Sequence, residues 1–429
     1  MSWSWRPSER SRLAIVLALI CCSPALAQSV SPDGSVISND TGTLMTAAGT
    51  WSFGGPASGR PGEWLILLNG SASNGGISTG LEVANGGQIY ALTASGSWWI
   101  WNGSWTRTSP PPPPPQVGVL QVGPGRTYQT ISAAVDVANA DTDLTHNYDI
   151  QVLPGTYTND FPAALTRPMT IEVDPCCTGQ EVALNATVDL PNQKGILLSL
   201  SSLTVNGLTF EGAHISAALG GNGAGIRDQS EDPAAMLIIQ NSVFTNNQEG
   251  VLTGDNANQV IMVSNSSFIN NGNPDPSVFQ HGIYVNASAM FSVSNSLFCG
   301  QLIGHDIKSR SAQTTVMASQ IYTGEGAPSS TGCQVGSASF NIELANGGIG
   351  LISGNTLVQG PSSQNHKIIS YGAEGLSYTT NSLDVSQNNF LSTTGSIGIS
   401  DPPCVPVSLG MNTYTGLSAI VDPASCIAP

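Results

Sequence analysis

Two short phrases recur through the second half of the chain, and their recurrence constrains the fold more than any other feature. One reads His281-Gly-Ile-Tyr-Val285, His305-Asp-Ile-Lys-Ser309 and His366-Lys-Ile-Ile-Ser370, with a His two residues before an Ile. Phe340-Asn-Ile-Glu-Leu344 repeats it with Phe in place of His. The other sets Asn or Ser three residues before an apolar residue: Asn241/Phe244, Asn265/Phe268, Asn295/Phe298, Ser319/Tyr322, Asn355/Val358 and Asn388/Leu391. The intervals between these are 24, 30, 24, 36 and 33 residues. Internal repetition of this kind implies stacked copies of one unit. A fixed phrase at variable spacing means that strands stay in register while loops change length. Parallel stacking brings equivalent residues to about 4.8 Å from one another, so the recurring polar residue is expected to form a side-chain ladder at a turn.

Upstream, Gly123-Pro-Gly-Arg-Thr-Tyr-Gln-Thr-Ile-Ser132 leads into a helix candidate over Ala133 to Ala140. Ile131, Ala134, Val135 and Ala138 share one face of it. Tyr148-Asp-Ile-Gln-Val-Leu153 and Pro154-Gly-Thr-Tyr157 follow. This opening resembles secreted right-handed parallel β-helix proteins of the pectin-lyase-like superfamily, in which a short amphipathic helix caps the first coil. A cap is needed because an open coil end exposes apolar side chains and unpaired strand edges. The resemblance spans roughly residues 117–429. It implies an all-β chain: a right-handed parallel β-helix with an N-terminal helical cap, preceded by a small β-rich module. For activity it is weakly informative, because one fold hosts many functions.

The N-terminus reads as a secretory signal over residues 1–27. Arg6, Arg10 and Arg12 precede an apolar run, Leu13 to Cys22, that is too short to span a bilayer. Ala25-Leu26-Ala27 is the cleavage site, so the mature chain is expected to begin at Gln28 and to be secreted, periplasmic or held at the cell surface. No later segment is apolar for long enough to predict a membrane span. Residues 28–108 hold short apolar runs between turn signals and all six mature tryptophans: Trp51, Trp64, Trp98, Trp99, Trp101 and Trp105. A module this small needs tryptophans as core. Alternation places Trp99 and Trp101 on one face and Trp98 on the other, and Trp99 and Trp101 are candidates for stacking on sugar rings. Pro110 to Pro115 predicts a stiff polyproline spacer, with the linker at 109–116.

Removing residues 1–27 takes away three basic residues and one acidic one, which leaves a mature net charge of −18. Such a chain is a poor ligand for nucleic acid or anionic membranes. Six cysteines remain, an even number that suits disulfides in an exported protein. Cys404 with Cys426 is expected to anchor the C-terminal end, and Cys299 with Cys333 to staple neighbouring repeats. Cys176 and Cys177 are adjacent, and their pairing stays open.

Aligning the first phrase on its apolar residue gives the column Ile226, Val251, Ile283, Ile307, Ile342 and Ile368. Period two then turns Arg227, Tyr284, Lys308 and Glu343 outward, with Asp306 and Lys367 before the column residue and Arg310 and Tyr371 after it. Four of the nine mature basic residues, Arg227, Lys308, Arg310 and Lys367, fall on this face. So do three of the five histidines, His281, His305 and His366, unless they form an inward polar ladder at a corner. The face predicts a cationic groove for an anionic, uronate-containing polysaccharide.

β-Elimination or C5 epimerisation of a uronan needs a group that neutralises the carboxylate, a base for the C5 proton, and an acid. Arg310 is the candidate neutraliser. Lys308 or a histidine is the candidate base, with its pKa lowered by neighbouring cations, and Tyr284 or Tyr371 is the candidate acid. Arg227, Asp306, Glu343, Lys367, Trp99 and Trp101 are candidate substrate contacts. β-Helix lyases and epimerases resemble this in using basic residues, often with Ca²⁺. No compact Asp cluster lies on the column, so Ca²⁺ stays an open expectation. Glycoside hydrolysis needs two carboxylates instead, for which Asp306, Glu343 and Glu374 are the local choices. A non-catalytic carbohydrate-binding protein, adhesin or matrix component is the other alternative, in which Lys308 and Glu343 form only a cross-strand ion pair.

Overall fold

From Gln116 onward the chain winds through three parallel sheets, of 11, 10 and 9 strands, and from Met169 each turn adds one strand to each. One coil, for example, runs through strands Gln313–Met317, Gln320–Thr323 and Phe340–Leu344. The fold is a parallel β-helix, and the hand followed by nearly all parallel crossovers is right-handed. This computed structural model describes residues 31, 35–38, 42–84, 87–111, 116–143, 146–272, 279–324 and 327–428. The expected signal segment and most of the proline run lie outside the described residues. The chain divides into two compact units, Met1–Pro114 and Pro115–Pro429.

The β-helix core follows from strict alternation. In strand Met169–Val173 the residues Met169, Ile171 and Val173 are buried, and those between are half-buried. The strongest internal feature is a stack of Phe210, Phe244, Phe268 and Phe298, with ring centroids 4.9, 4.8 and 4.5 Å apart. The stack continues through Ile321, Leu357 and Phe390. The expected partners Tyr322, Val358 and Leu391 are thus one residue out. Helix Ile131–Ala140 covers the first coil with the four expected residues, Ile131, Ala134, Val135 and Ala138, all fully buried. Its leading N–H groups are satisfied by Asp160, which accepts from Ile131 at 2.6 Å and Ser132 at 3.1 Å, and by Thr130, which accepts from Ala133.

The turn ladder exists: Ser319, Asn355 and Asn388 belong to it as expected, and in earlier coils Ser242, Ser266 and Ser296 take the places expected of Asn241, Asn265 and Asn295. Backbone N–H groups of Ser242, Ser266, Ser296, Ser319, Asn355 and Asn388 each donate to the side-chain oxygen of the equivalent residue one coil on, at 2.8–3.2 Å. The last acceptor is Asn412. Asn241, Asn265 and Asn295 lie one residue earlier, at φ of 50°, 49° and 48°. They supply the left-handed turn conformation that Asn tolerates better than most residues.

Cys404–Cys426 and Cys299–Cys333 are bonded, with Cα separations of 5.0 and 5.7 Å. Cys176 and Cys177 are bonded to each other. Among the described residues no helix is long and apolar enough to cross a membrane.

The N-terminal unit consists of two antiparallel sheets. Four strands, Leu44–Thr46, Gly49–Pro56, Trp64–Leu68 and Ser71–Ser78, form a meander. Five others, Val36–Ser38, Gly80–Ala84, Gln88–Leu92, Trp98–Trp101 and Trp105–Thr108, form the second sheet. Its core is separate, centred on Trp51, Ile66, Leu81 and Val83. Trp51, Trp101 and Trp105 pack edge-on, with centroids 5.2–5.8 Å apart.

Candidate functional site

The nine-strand sheet carries an outward column in which each residue sits one coil from the next: Arg227, Leu252, Tyr284, Lys308, Glu343 and Ser370. Lys308 therefore stands between Tyr284 and Glu343, as the spacing predicts. Glu249, His281 and His305 flank this column three residues before Leu252, Tyr284 and Lys308. The His281 and His305 rings lie 4.8 Å apart, and the imidazole of His305 reaches Glu343 with Nε2 3.1 Å from Oε2.

Strict period two fails at the start of these strands. A Cβ on Gly250 would stand 2.8 Å from Cδ1 of the stacked Phe268, so this position faces the interior. Asp306 occupies the same position two coils on. It is 1 % exposed, and Thr323 Oγ1 donates to it at 2.5 Å. Asp306 and Ile307 thus both face inward, at the bend where the chain enters the sheet. Burial raises the Asp306 carboxyl to about 8, against the Thr323 hydrogen bond. Asp306 is an interior residue, not a groove contact. The histidines, expected at inward parity if in the strand, lie on the same side as Lys308.

A second correction follows from register. Ile342 pairs with Ile369, not Ile368. A one-residue slip exchanges the two faces of a strand. Tyr371 consequently points inward, is fully buried, and donates to the Gly348 carbonyl at 2.5 Å. Burial first, and then the nearby Asp401, raise its pKa to about 12. His366 falls before strand Lys367–Tyr371 and is exposed, outside the histidine pair. Lys367 takes the flanking place held by His305 and Phe340 in earlier coils, and is half-buried.

The cations do not form an open positive groove. Lys308 is 9 % exposed, and its Nζ lies 2.7 Å from Glu374 Oε1 and 3.3 Å from Glu343 Oε2. Arg310 donates to Glu374 Oε2 from Nε at 3.0 Å and Nη2 at 2.5 Å, and to Asn286 Oδ1 from Nη1 at 3.2 Å. Lys308 Nζ and Arg310 Cζ lie 5.3 and 5.2 Å from the centroid of the Tyr284 ring, within cation–π range. Lys308 is not a base with a lowered pKa. Burial pulls its pKa down, but Glu343 and Glu374 overcome this and hold it above the ordinary value. Burial opposes ionisation of Glu343 and Glu374, yet His305 and Lys308 hold the first carboxyl below its usual range, and Lys308 and Arg310 the second. Burial raises the Tyr284 phenol, partly offset by Arg310 and Lys308.

The imidazoles are equally committed. His281 is 3 % exposed, and its Nδ1 accepts the backbone N–H of His305 at 3.0 Å. Burial, followed by the charges of His305, Lys308 and Arg310, drives its pKa well down, so it is neutral. His305 Nδ1 is buried without a hydrogen-bond partner. Glu249 is buried and accepts the backbone N–H of His281 at 2.7 Å. Burial holds its pKa well above the ordinary value, against that bond and the charges of Arg227 and Lys308. Arg227 is half-buried, with Nε and Nη1 lacking partners.

The sequence does not single out Glu249, and it offers Glu374 only as a carboxylate for hydrolysis. Glu249 carried a usable signal, since Glu249-Gly-Val251 repeats the spacing of His281-Gly-Ile283. Glu374 sits in an exposed loop outside any repeat. Among the described residues no group of three or more His, Cys, Asp or Glu is placed to hold a metal. Glu343 and Glu374 are tied to Lys308, so the donor set here does not suit Ca²⁺. Trp99 and Trp101 are both half-buried and pack against the N-terminal core, Trp101 within the edge-on trio.

No family model matches the sequence, and no curated protein matches it. Two crystal structures of pectin methylesterase from Aspergillus niger are similar to it at 13 % identity. The deglycosylated form aligns over 69 % of this chain and 85 % of its own, with a TM-score of 0.30. The form retaining an N-acetylglucosamine stub aligns over 72 % and 88 %, with a TM-score of 0.31. The β-helix assignment rests on the three parallel sheets of the chain itself.

Proposed function

We propose that the face around Lys308 and Arg310 binds an acidic, uronate-containing polysaccharide, and that the protein acts on it as a lyase or C5-epimerase. One observation carries this reading. Lys308 and Arg310 already hold one carboxylate, that of Glu374, beside the ring of Tyr284. A uronate entering in place of Glu374 meets the same donors, and neutralising its carboxylate acidifies the C5 proton. Tyr284, held in its phenol form, supplies the acid. In elimination solvent water takes the C5 proton, the C5–H electron pair forms the C4=C5 bond as C4–O breaks, and the phenol proton passes to the leaving oxygen. In epimerisation water likewise takes the C5 proton from one face, and the phenol delivers a proton to the opposite face. The three disulfides fit an oxidising compartment, and export belongs to this proposal.

The resting cluster offers no free base: Lys308 is held charged, His281 Nδ1 is bonded, and His305 Nδ1 is buried. That observation favours a second reading, in which the same face binds acidic glycans without reaction, as an adhesin or matrix component would. Hydrolysis is disfavoured, because Glu343 and Glu374 both sit below the usual carboxylate range, and the nearby carboxyls held above it, Glu249 and Asp306, are buried away from solvent.

The deciding experiment incubates the mature chain with a panel of polyuronates and neutral glycans. Ultraviolet absorbance follows unsaturated products, and deuterium uptake at C5 follows epimerisation. Either signal supports the enzyme. Saturable binding without either supports the binding protein. Folded protein that binds no polyuronate overturns both.

A further inference from the structure

The N-terminal unit contains a cleft of 300 Å³ between its two sheets. We propose that this cleft is a separate binding site for one carboxylate-bearing sugar unit, with Trp99 as its stacking surface and Arg60 and Arg107 as its carboxylate donors. It stands independently of the reading of the β-helix face.

Charge placement is the first argument. Residues 28–108 contain two basic residues, Arg60 and Arg107, and both line this cleft. Chance scatter over two small sheets would not favour their meeting at one concavity. Arg107 pairs across the hairpin with Trp99. Directly opposed residues project from the same face of a sheet, so this guanidinium stands beside this indole.

The tryptophans divide by role. Trp51, Trp101 and Trp105 fill the core against one another. The Trp105 indole N–H is consumed by the Ser73 carbonyl at 2.9 Å. Trp99 also packs against the core of this unit, but among the described residues it makes no ring contact of that kind, and its half-buried ring lines the cleft beside Trp105. Gly76 lets the wall form: a Cβ there would collide with the Trp105 ring.

The donors are not spent elsewhere. The hydrogen bond of Arg107 to Ser97 Oγ is long, at 3.4 Å. Arg60 is 66 % exposed and meets Glu63 only at 4.0 Å. Glu63 itself is buried and holds the neighbouring turn by accepting the N–H of Ala94 at 2.8 Å. Asn74 and Ser97 add an amide and a hydroxyl to the lining. An aromatic face, two guanidinium groups and small polar groups match a pyranose ring that carries hydroxyls and one carboxylate. The volume lies at the low end of ligand pockets, the scale of a single sugar unit rather than a long segment.

All six mature tryptophans lie in this unit, so tryptophan fluorescence, excited at wavelengths that tyrosine does not absorb, reports on it and not on the β-helix. The full mature chain is titrated with galacturonic acid and its trimer, with galactose and its trimer as neutral controls. A saturable fluorescence change with the acidic sugars is expected, weakening with added salt. Arg107→Gln and Arg60→Gln should each raise Kd about tenfold, and Lys308→Met should leave the titration unchanged. No fluorescence change, equal affinity for the neutral sugars, or unchanged affinity in a folded Arg60→Gln/Arg107→Gln variant would each overturn the site. Failure of the polyuronate assay on the β-helix face leaves this readout untouched.

Discussion

The backbone N–H of His305 donates to the imidazole Nδ1 of His281 across 3.0 Å, from one coil to the next. A nitrogen that accepts an amide proton holds none of its own, so His281 carries its proton on Nε2. The ring lies 5.0 Å from that of Tyr284, at 72°. His281 thus positions Tyr284 and shuttles no proton. Nitrogen-15 spectra of labelled histidine should show an unprotonated Nδ1 throughout the native pH range, with no titration near the ordinary histidine pKa. A protonated His281 at pH 6 would contradict this.

Tyr284 and Arg310 separate chemistry from binding. Tyr284→Phe keeps the ring under both cations and removes the acid, so turnover should fall by about 100-fold or more with binding nearly intact. Arg310→Ala should weaken binding of a polyuronate about tenfold. Because Arg310 is part-exposed, its removal should cost about 1 kcal/mol or less of stability. Turnover and binding are both read on the same polyuronate. Full turnover in Tyr284→Phe would remove the acid assignment.

Lys308→Met tests the buried ion cluster. It leaves Glu343 without its ammonium partner in a buried setting, and a loss of about 3 kcal/mol is expected. Lys308→Met combined with Glu343→Gln should recover part of that loss. Urea denaturation of the four proteins of the cycle gives the coupling. Additive losses would show that the two charges do not depend on each other.

Asp306 makes stability depend on pH. Its carboxyl titrates at about 8 in the fold, against an ordinary value of 3.8. Between these limits the folded state binds the extra proton, so stability falls as pH rises, by up to about 1.4 kcal/mol per pH unit. Burial raises Asp228, to about 6, in the same direction. Asp306→Asn should flatten the Tm profile between pH 4 and 8 and raise Tm at pH 8. An unchanged slope would show that Asp306 is ionised in the fold.

Asn355 is a buried, fully bonded rung of the turn ladder. It accepts from Ser319 N and donates to the Val316 carbonyl and Asn388 Oδ1, each at 2.9 Å. Asn355→Ala leaves buried partners unsatisfied and should cost about 3 kcal/mol. Asn355→Ser should cost less, because Ser296 and Ser319 fill the same place in earlier coils. Equal losses in thermal unfolding would count against the ladder as the source of stability.

Repetition made the coil architecture legible, and 3.6-residue spacing identified the buried face of the capping helix residue by residue. Face assignment at the site was harder, for two physical reasons. Alternation holds along a strand but not through the bend that feeds it, so Asp306 turned inward. The stretch from Leu344 to Lys367, which carries strands Ile349–Ser353 and Thr356–Gln359, differs in length from earlier coils, and matching His366 to His305 by their phrases set Tyr371 on the wrong face. Glu374 was illegible as a partner because it lies 66 residues from Lys308 on a segment without a periodic pattern. Only the fold brings the two together.

The turn ladder has a direction. Every rung runs from an amide of one coil to a side chain of the following coil, from Ser242 through to Asn412. Synthesis delivers the coils in that same order. Each newly made turn therefore keeps an unsatisfied amide until the next coil arrives to accept from it. A stack wound up to any coil therefore presents that coil's amide as a docking edge for the next, and Cys404–Cys426 bridges the coil at the end of the described residues.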